Sequence, residues 1–142
     1  MSKKVSEYIK TTSIPGLVVI ERPVYKDNRG FFHEIVRLNE LEETTGVKFS
    51  AVQLSHSMSV PRVIRAIHTE EWNKLIYPLT GKMFAAIVDL RKDSSTFGKV
   101  ETFTFDNTRD DCPHRALFLP KGMGNSICVV GEEPVHYLYL ID

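Results

Sequence analysis

The 142-residue sequence predicts an all-β protein: an antiparallel sandwich or barrel with one short helix, the jelly roll being one solution. Three observations carry that expectation. Roughly ten short segments are rich in β-branched and aromatic residues, turn signals separate most of them, and most connections are too short for parallel crossovers. Seven Pro and eight Gly are scattered as punctuation with no linker-like cluster, so residues 1–142 read as one domain. A chain of this length buries roughly two-thirds of its unfolded surface in a single core.

The strands follow in order. Leu17–Glu21 comes first, and Asp27-Asn28-Arg29-Gly30 then turns the chain into Phe31–Arg37, where Phe32, Glu34 and Val36 share one face. A helix is expected next: Asn39 can cap it, Glu42 stands three residues on as in a capping box, and Gly46 can close it. Leu38 and Leu41 would anchor it to the sheet. Ala51–His56, Arg62–His68, Lys74–Leu79 and Met83–Leu90 are the middle strands, with Thr80-Gly81 as one of the turns. Val100–Phe105, Ala116–Leu119, Ser126–Val130 and Val135–Ile141 complete the set, with turns at Asp93-Ser94-Ser95 and Pro120-Lys121-Gly122.

Eighteen Lys and Arg balance eighteen Asp and Glu, so the chain offers no field for a nucleic-acid backbone or an anionic membrane. Its longest apolar run, Met83 to Val88, falls far short of the ~18–20 residues that cross a bilayer. Polar residues follow Met1-Ser2-Lys3-Lys4 where a signal peptide would be apolar. Cys112 and Cys128 are too few for a disulfide framework and lack zinc-site spacing. A soluble cytoplasmic protein without nucleic-acid or membrane partners is expected.

The most informative stretch runs from Gln53 to Lys74. By strand alternation His68 shares a face with Ile64 and Ala66 and points inward, while Arg65 falls on the other face. A lone inward histidine is ordinarily a hydrogen-bonded core residue. An interior that also takes Gln53 and Lys74 is hard to explain as packing, because buried charge needs a partner, and an anionic ligand could supply one. For Arg65 to reach the same interior the strand must bend or bulge between Arg65 and His68. The turn at Arg29 reads either as a turn with an exposed Arg or as a phosphate-binding Arg beside an aromatic platform, with Glu34 accepting hydroxyl hydrogen bonds.

A metal centre needs several converging imidazoles. His68 lacks a second His two residues on, a later strand offers Gly122-Met123-Gly124-Asn125, and His33, His56, His114 and His136 are dispersed, so no metal is expected. No Gly-rich nucleotide loop, P-loop or nucleophile elbow occurs.

Together Asp27 through Glu34, Gln53 through His68, Lys74-Leu75, Gly81, and Val88 through Lys99 resemble the dTDP-4-dehydrorhamnose 3,5-epimerase family, in order from about Gly16 to Asp142. The resemblance implies a cofactor-free, cupin-like jelly-roll homodimer that epimerises nucleotide-linked 4-keto-6-deoxyhexoses at C3, or at C3 and C5. Such an enzyme makes deoxysugar precursors for surface polysaccharides such as lipopolysaccharide O-antigen. Carried over, His68 matches the catalytic base and Lys74 the lysine near the developing enolate. Tyr139 is similar to the tyrosine that returns a proton from the opposite face, with Tyr137 as the neighbouring alternative. Arg65 and Arg29 match arginines that hold sugar and diphosphate; Phe32, Glu34 and Gln53 match pocket-lining residues. Ser55 and Asn125 stand where the family usually has Asn and His. Arg29, Phe32 and Glu34 would reach into the neighbouring subunit's barrel.

These residue types suit the chemistry. A 4-keto group acidifies the hydrogens at C3 and C5, so a neutral imidazole can take one as general base. An ammonium can stabilise the enolate in a water-poor barrel. The family's carboxylate partner for the histidine normally comes from beyond the position of Asp142. His68 is therefore expected either to take a nearer partner, Glu70 or Glu71, or to act as a weaker base, with epimerisation at C3 alone or at C3 and C5. The alternative is a non-catalytic module of the same fold that binds a nucleotide sugar without turnover.

Overall fold

Several strands are apolar without interruption, and the reason is that both of their faces are covered. The computed structural model describes residues 6–109 and 111–142. Its first strands are β1 (Ile9–Thr11), β2 (Val18–Glu21), β3 (Val24–Asp27) and β4 (Gly30–His33), followed by helix α1 (Leu38–Thr45). Next come β5 (Gln53–Ser59), β6 (Ile64–Thr69), β7 (Lys74–Pro78) and β8 (Gly81–Asp89). The last are β9 (Val100–Asn107), β10 (Arg115–Leu119), β11 (Met123–Val129) and β12 (Val135–Ile141). A six-stranded sheet in the order β1-β2-β10-β7-β12-β5 faces a four-stranded sheet in the order β6-β11-β8-β9, and β3 with β4 forms a separate hairpin. The pairings are antiparallel throughout, so the all-β, jelly-roll expectation holds.

One core lies between the two sheets. Val19, Ile76, Leu117 and Leu119 from the larger sheet meet Met83, Ala85, Ile87 and Val129 from the smaller one. The second core lies on the outer face of the larger sheet, where Val18, Ile20, Leu75, Ala116 and Phe118 are covered by Leu41 of α1 and by Phe49. Alternate residues of β10 thus enter different cores, and the Ala116–Leu119 run needs no polar position. Phe49 and Phe118 pack edge to face with centroids 5.4 Å apart.

Three local expectations are corrected. The helix starts one residue before Asn39, with Arg37 at the N-cap and no side-chain cap. Its first turn carries Glu40, a carboxylate favoured at the positive end of the helix dipole, and buried Arg22 binds it at 2.6 Å. Gly46 does close the helix at φ 73°, donating its N–H to the Glu42 carbonyl at 2.8 Å. The strand expected through Arg37 ends at His33, because Glu34 is drawn to Arg22 and Arg37 instead. Finally, β11 begins at Met123, directly after the Pro120-Lys121-Gly122 turn and three residues before the strand expected from Ser126. Gly124 fits there because an added Cβ would meet Val88 Cγ1 at 2.7 Å and Ile67 Cγ2 at 2.9 Å.

Candidate active site

The site lies between the sheets, where the edge strands β5 and β6 leave the sandwich open. β12 and β7 supply one wall, since Tyr137, Tyr139, Lys74 and Ile76 alternate toward the inside. β6 and β11 supply the other, and here the register decides the outcome. Asn125 pairs with His68 but Ile127 pairs with Arg65, so two residues of β11 span three of β6. That bulge turns Arg65 and His68 to the same side, as the sequence required if both were to face inward. The cavity between the walls has a volume of about 250 Å³ and is lined by Arg65, His68, Glu70, Lys74, Asn125 and Tyr139, with Ser57 and Tyr137 beside them.

Its polar contacts are specific. The Lys74 ammonium lies 3.2 and 3.3 Å from the two Glu70 carboxylate oxygens and 4.6 Å from the Tyr139 ring centroid. Trp72 Nε1 donates to Glu70 Oε2 at 2.9 Å. Arg65 Nε donates to Ser59 Oγ at 2.8 Å, which holds the guanidinium against β5. Asn125 Nδ2 donates to the His68 carbonyl at 3.2 Å, fixing the backbone beneath the imidazole. The imidazole itself is exposed and makes no hydrogen bond among the described residues. Glu70, one of the two carboxylates expected beside His68, is instead engaged by Lys74 and Trp72, and Glu71 is exposed.

The remaining sequence candidates fall outside this cavity. Gln53 and Ser55 share the Ser57 face of β5 by alternation but lie further along the strand, with Gln53 Nε2 bound to Ser55 Oγ at 3.1 Å. Arg29 and Phe32 sit on the β3–β4 hairpin. Phe32 is 67% exposed, and the exposed Arg29 guanidinium pairs with Asp27 at 2.6 Å. With Tyr25 and Phe31 they line a separate cavity of about 480 Å³. Glu34 is held by Arg37 at 2.7 Å and Arg22 at 3.2 Å, and the Arg37 guanidinium foremost keeps its carboxyl below the usual range. Ser57 was not anticipated, although extending the alternation from Gln53 and Ser55 points to it. The pairing of Glu70 with Lys74 had no signal in the strand pattern, because Glu70 lies just past the end of β6.

The mouth of this jelly roll thus gathers an imidazole, an ammonium and two phenols. A family model described as dTDP-4-dehydrorhamnose 3,5-epimerase matches residues 11–142. The chain belongs to that family. It is 34% identical over 126 residues to the dTDP-4-dehydrorhamnose 3,5-epimerase of Shigella flexneri, covering 86% of this chain and 67% of the relative. Spore coat polysaccharide biosynthesis protein SpsL of Bacillus subtilis is 36% identical over 128 residues, covering 89% of this chain and 78% of its own. A solved structure of dTDP-6-deoxy-D-glucose-3,5-epimerase RmlC from Legionella pneumophila, in complex with dTDP-4-keto-L-rhamnose, is similar with a TM-score of 0.82 at 30% identity. That match covers 94% of this chain and 70% of the other. The chain thus spans about two-thirds of the length of the Shigella relative.

Proposed function

We propose that this chain epimerises a nucleotide-diphosphate-linked 4-keto-6-deoxyhexose at C3, with C5 as the second position open to the same chemistry, in deoxysugar and surface-polysaccharide synthesis. The observation that carries the reading is the convergence of His68, Lys74 and Tyr139 on one cavity from three different strands. His68 takes the hydrogen alpha to the ketone, leaving an enolate whose oxygen develops negative charge. The Lys74 ammonium stabilises that oxygen, and a preorganised cation in a partly water-excluded cavity does so far better than solvent. Tyr139, on the β12 wall facing β6, returns a proton from the opposite face and inverts the centre. Every proton taken is returned, so the reaction balances without an oxidant or reductant.

The partner reading follows from the hairpin. Arg29 and Phe32 do not line their own chain's cavity, yet an Arg beside stacked aromatics suits a nucleotide diphosphate. We place them, with Glu34, at the cavity of a second copy in a homodimer, with Arg65, Gln53, Ser55 and Asn125 completing the substrate contacts. No helix among the described residues is long and apolar enough to cross a membrane. A highly charged sugar nucleotide does not cross a bilayer unaided, which sets the proposed work in the cytoplasm.

The test is solvent deuterium incorporation by NMR, with dTDP-, CDP- and GDP-linked 4-keto-6-deoxyglucose in D₂O. Label at C3 that His68→Asn suppresses by about 10²–10⁴-fold is the expected result. Absence of label above the enzyme-free rate with all three substrates, alongside tight nucleotide-sugar binding unchanged in His68→Asn, would establish the binding module instead.

A further inference from the structure

Glu70 is the only acidic side chain lining the cavity among the described residues. Two permanent cations, Arg65 and Lys74, line it as well, and His68 becomes a third each time it takes a proton. Lys74 has only 12% of its side chain exposed, so water does little to screen it. Its charge is met by one carboxylate, through two contacts of 3.2 and 3.3 Å.

The segment carrying Glu70 is fixed at several points. Its carbonyl accepts the Gly122 N–H at 3.2 Å, and its carboxylate accepts the Trp72 indole N–H at 2.9 Å. Asn73 is bound through its N–H to Asp142 Oδ1 at 2.9 Å and through its amide to Asp142 Oδ2 at 2.6 Å. The Asn73 side-chain oxygen in turn accepts the Lys121 N–H at 3.0 Å. Four residues, 70–73, thus join β6 to β7 as a stapled bridge, and the one carboxylate it turns inward meets the ammonium.

We propose that Glu70 is a positioning residue for the epimerisation, holding the Lys74 ammonium between its carboxylate and the Tyr139 ring so that the cation faces the enolate oxygen without rearranging. The role rests on the epimerase reading given above. It acts through Lys74 and predicts an effect on turnover that binding does not share, because the charge it aims matters most when the enolate forms. A carboxylate fixed by an indole, on a residue whose carbonyl is held by the Gly122 N–H, also keeps the lysine from swinging out to solvent, which a long flexible ammonium side chain otherwise does.

The experiment compares wild type, Glu70→Gln, Glu70→Asp, Lys74→Ala and the Glu70→Gln/Lys74→Ala double variant by deuterium exchange, with dTDP affinity measured by calorimetry. Glu70→Gln retains an acceptor for Trp72, and unchanged dTDP affinity shows that its fold is intact. The expected result is a fall in kcat of about tenfold or more with KM within about twofold. Glu70→Asp should recover part of the loss, and the double variant should be no slower than Lys74→Ala alone. Wild-type kcat in Glu70→Gln, or losses at the two sites that multiply independently, would overturn the assignment while leaving the epimerase reading in place. Absence of exchange in wild type would overturn both. If Glu70→Gln loses dTDP affinity, the Glu70→Asp variant decides: normal affinity with a kcat below wild type but above that of Lys74→Ala supports the role, and wild-type kcat overturns it.

Discussion

The Lys74 ammonium stands 4.6 Å from the centroid of the Tyr139 ring, on the wall of the cavity that His68 faces from β6. A cation over the face of a phenol and an imidazole across the gap make two sides of one cavity. The first separates from the second because Tyr139 pairs with Ile76 on β7 whereas His68 pairs with Asn125 on β11. His68 and Tyr139 are therefore carried by different sheets.

Removing only the hydroxyl of Tyr139 separates proton abstraction from inversion. Tyr139→Phe keeps the ring beneath Lys74 and leaves His68 untouched, so exchange of the acidic hydrogen should continue. Inversion should fall by about 10²-fold, since proton return from the second face loses its donor. Tyr137→Phe is the control, because Tyr137 lines the same cavity with its ring centroid 6.1 Å from that of Tyr139. Measuring deuterium exchange and product stereochemistry in one NMR time course checks the point. An equal or larger loss of inversion in Tyr137→Phe would move the acid to that residue.

Much of this was legible in the chain, for physical reasons that can be named. Strands such as Val135–Ile141 announce themselves because burial on one or both faces demands apolar residues at short period. Three-residue β1 and four-residue β3 do not, since a short edge strand needs few buried positions. The inward turn of His68 was readable from alternation, and the bulge that brings Arg65 beside it was readable only as a condition. Pairing register is a property of two strands, and β11 contributes Asn125 and Ile127 from nearly sixty residues away. The run from Val88 to Lys99 carried the family resemblance, but its structural part is a turn clasped by Asp89.

That clasp should govern acid stability. The Asp89 side chain is fully buried and accepts from Arg91 Nε at 2.9 Å and from Ser94 Oγ and Thr96 Oγ1 at 2.6 Å each. The Arg91 guanidinium, aided by the two hydroxyls, holds the carboxyl far below its ordinary value of 3.8. A carboxylate whose folded pKa is depressed stabilises the fold above that ordinary value, and the contribution is lost as pH falls below it. Asp89→Asn places an amide donor among donors and should cost about 3 kcal/mol at neutral pH. Urea unfolding at pH 7 and near pH 3 tests this: the gap between wild type and variant should narrow in acid.

A second pH effect, in a milder range, should involve the hairpin. His33 Nδ1 lies 3.1 Å from the Tyr77 hydroxyl, which in turn lies 3.4 Å from His114 Nδ1, and the two imidazole centroids are 5.5 Å apart. Burial, and then the neighbouring His114, hold the His33 pKa below 6.5. Between those two values the folded protein binds fewer protons than the unfolded one, so stability rises with pH across that window. It is lost as pH falls from 6.5 through the folded value. Wild type should therefore lose more Tm than His33→Gln between about pH 7.5 and 5.5. Equal losses would show that His33 does not carry the effect.

The shared-site reading of the hairpin makes a sharper demand, because two dead variants should repair one another. Arg29→Ala removes the proposed diphosphate contact, and His68→Asn removes the base. If the hairpin serves the partner's cavity, a mixed dimer holds one cavity with both His68 and Arg29 intact and a second with neither. Random re-association of equal amounts makes half of the dimers mixed, so about a quarter of wild-type activity should return. A hairpin that serves its own cavity gives no recovery, since each chain then carries its defect with it. Co-refolding the two variants and following deuterium exchange against the unmixed samples reads the difference directly. Tyr25 and Phe32, paired across the hairpin, should behave as Arg29 does when replaced by Ala, since stacking and phosphate contacts would then act in the same foreign cavity.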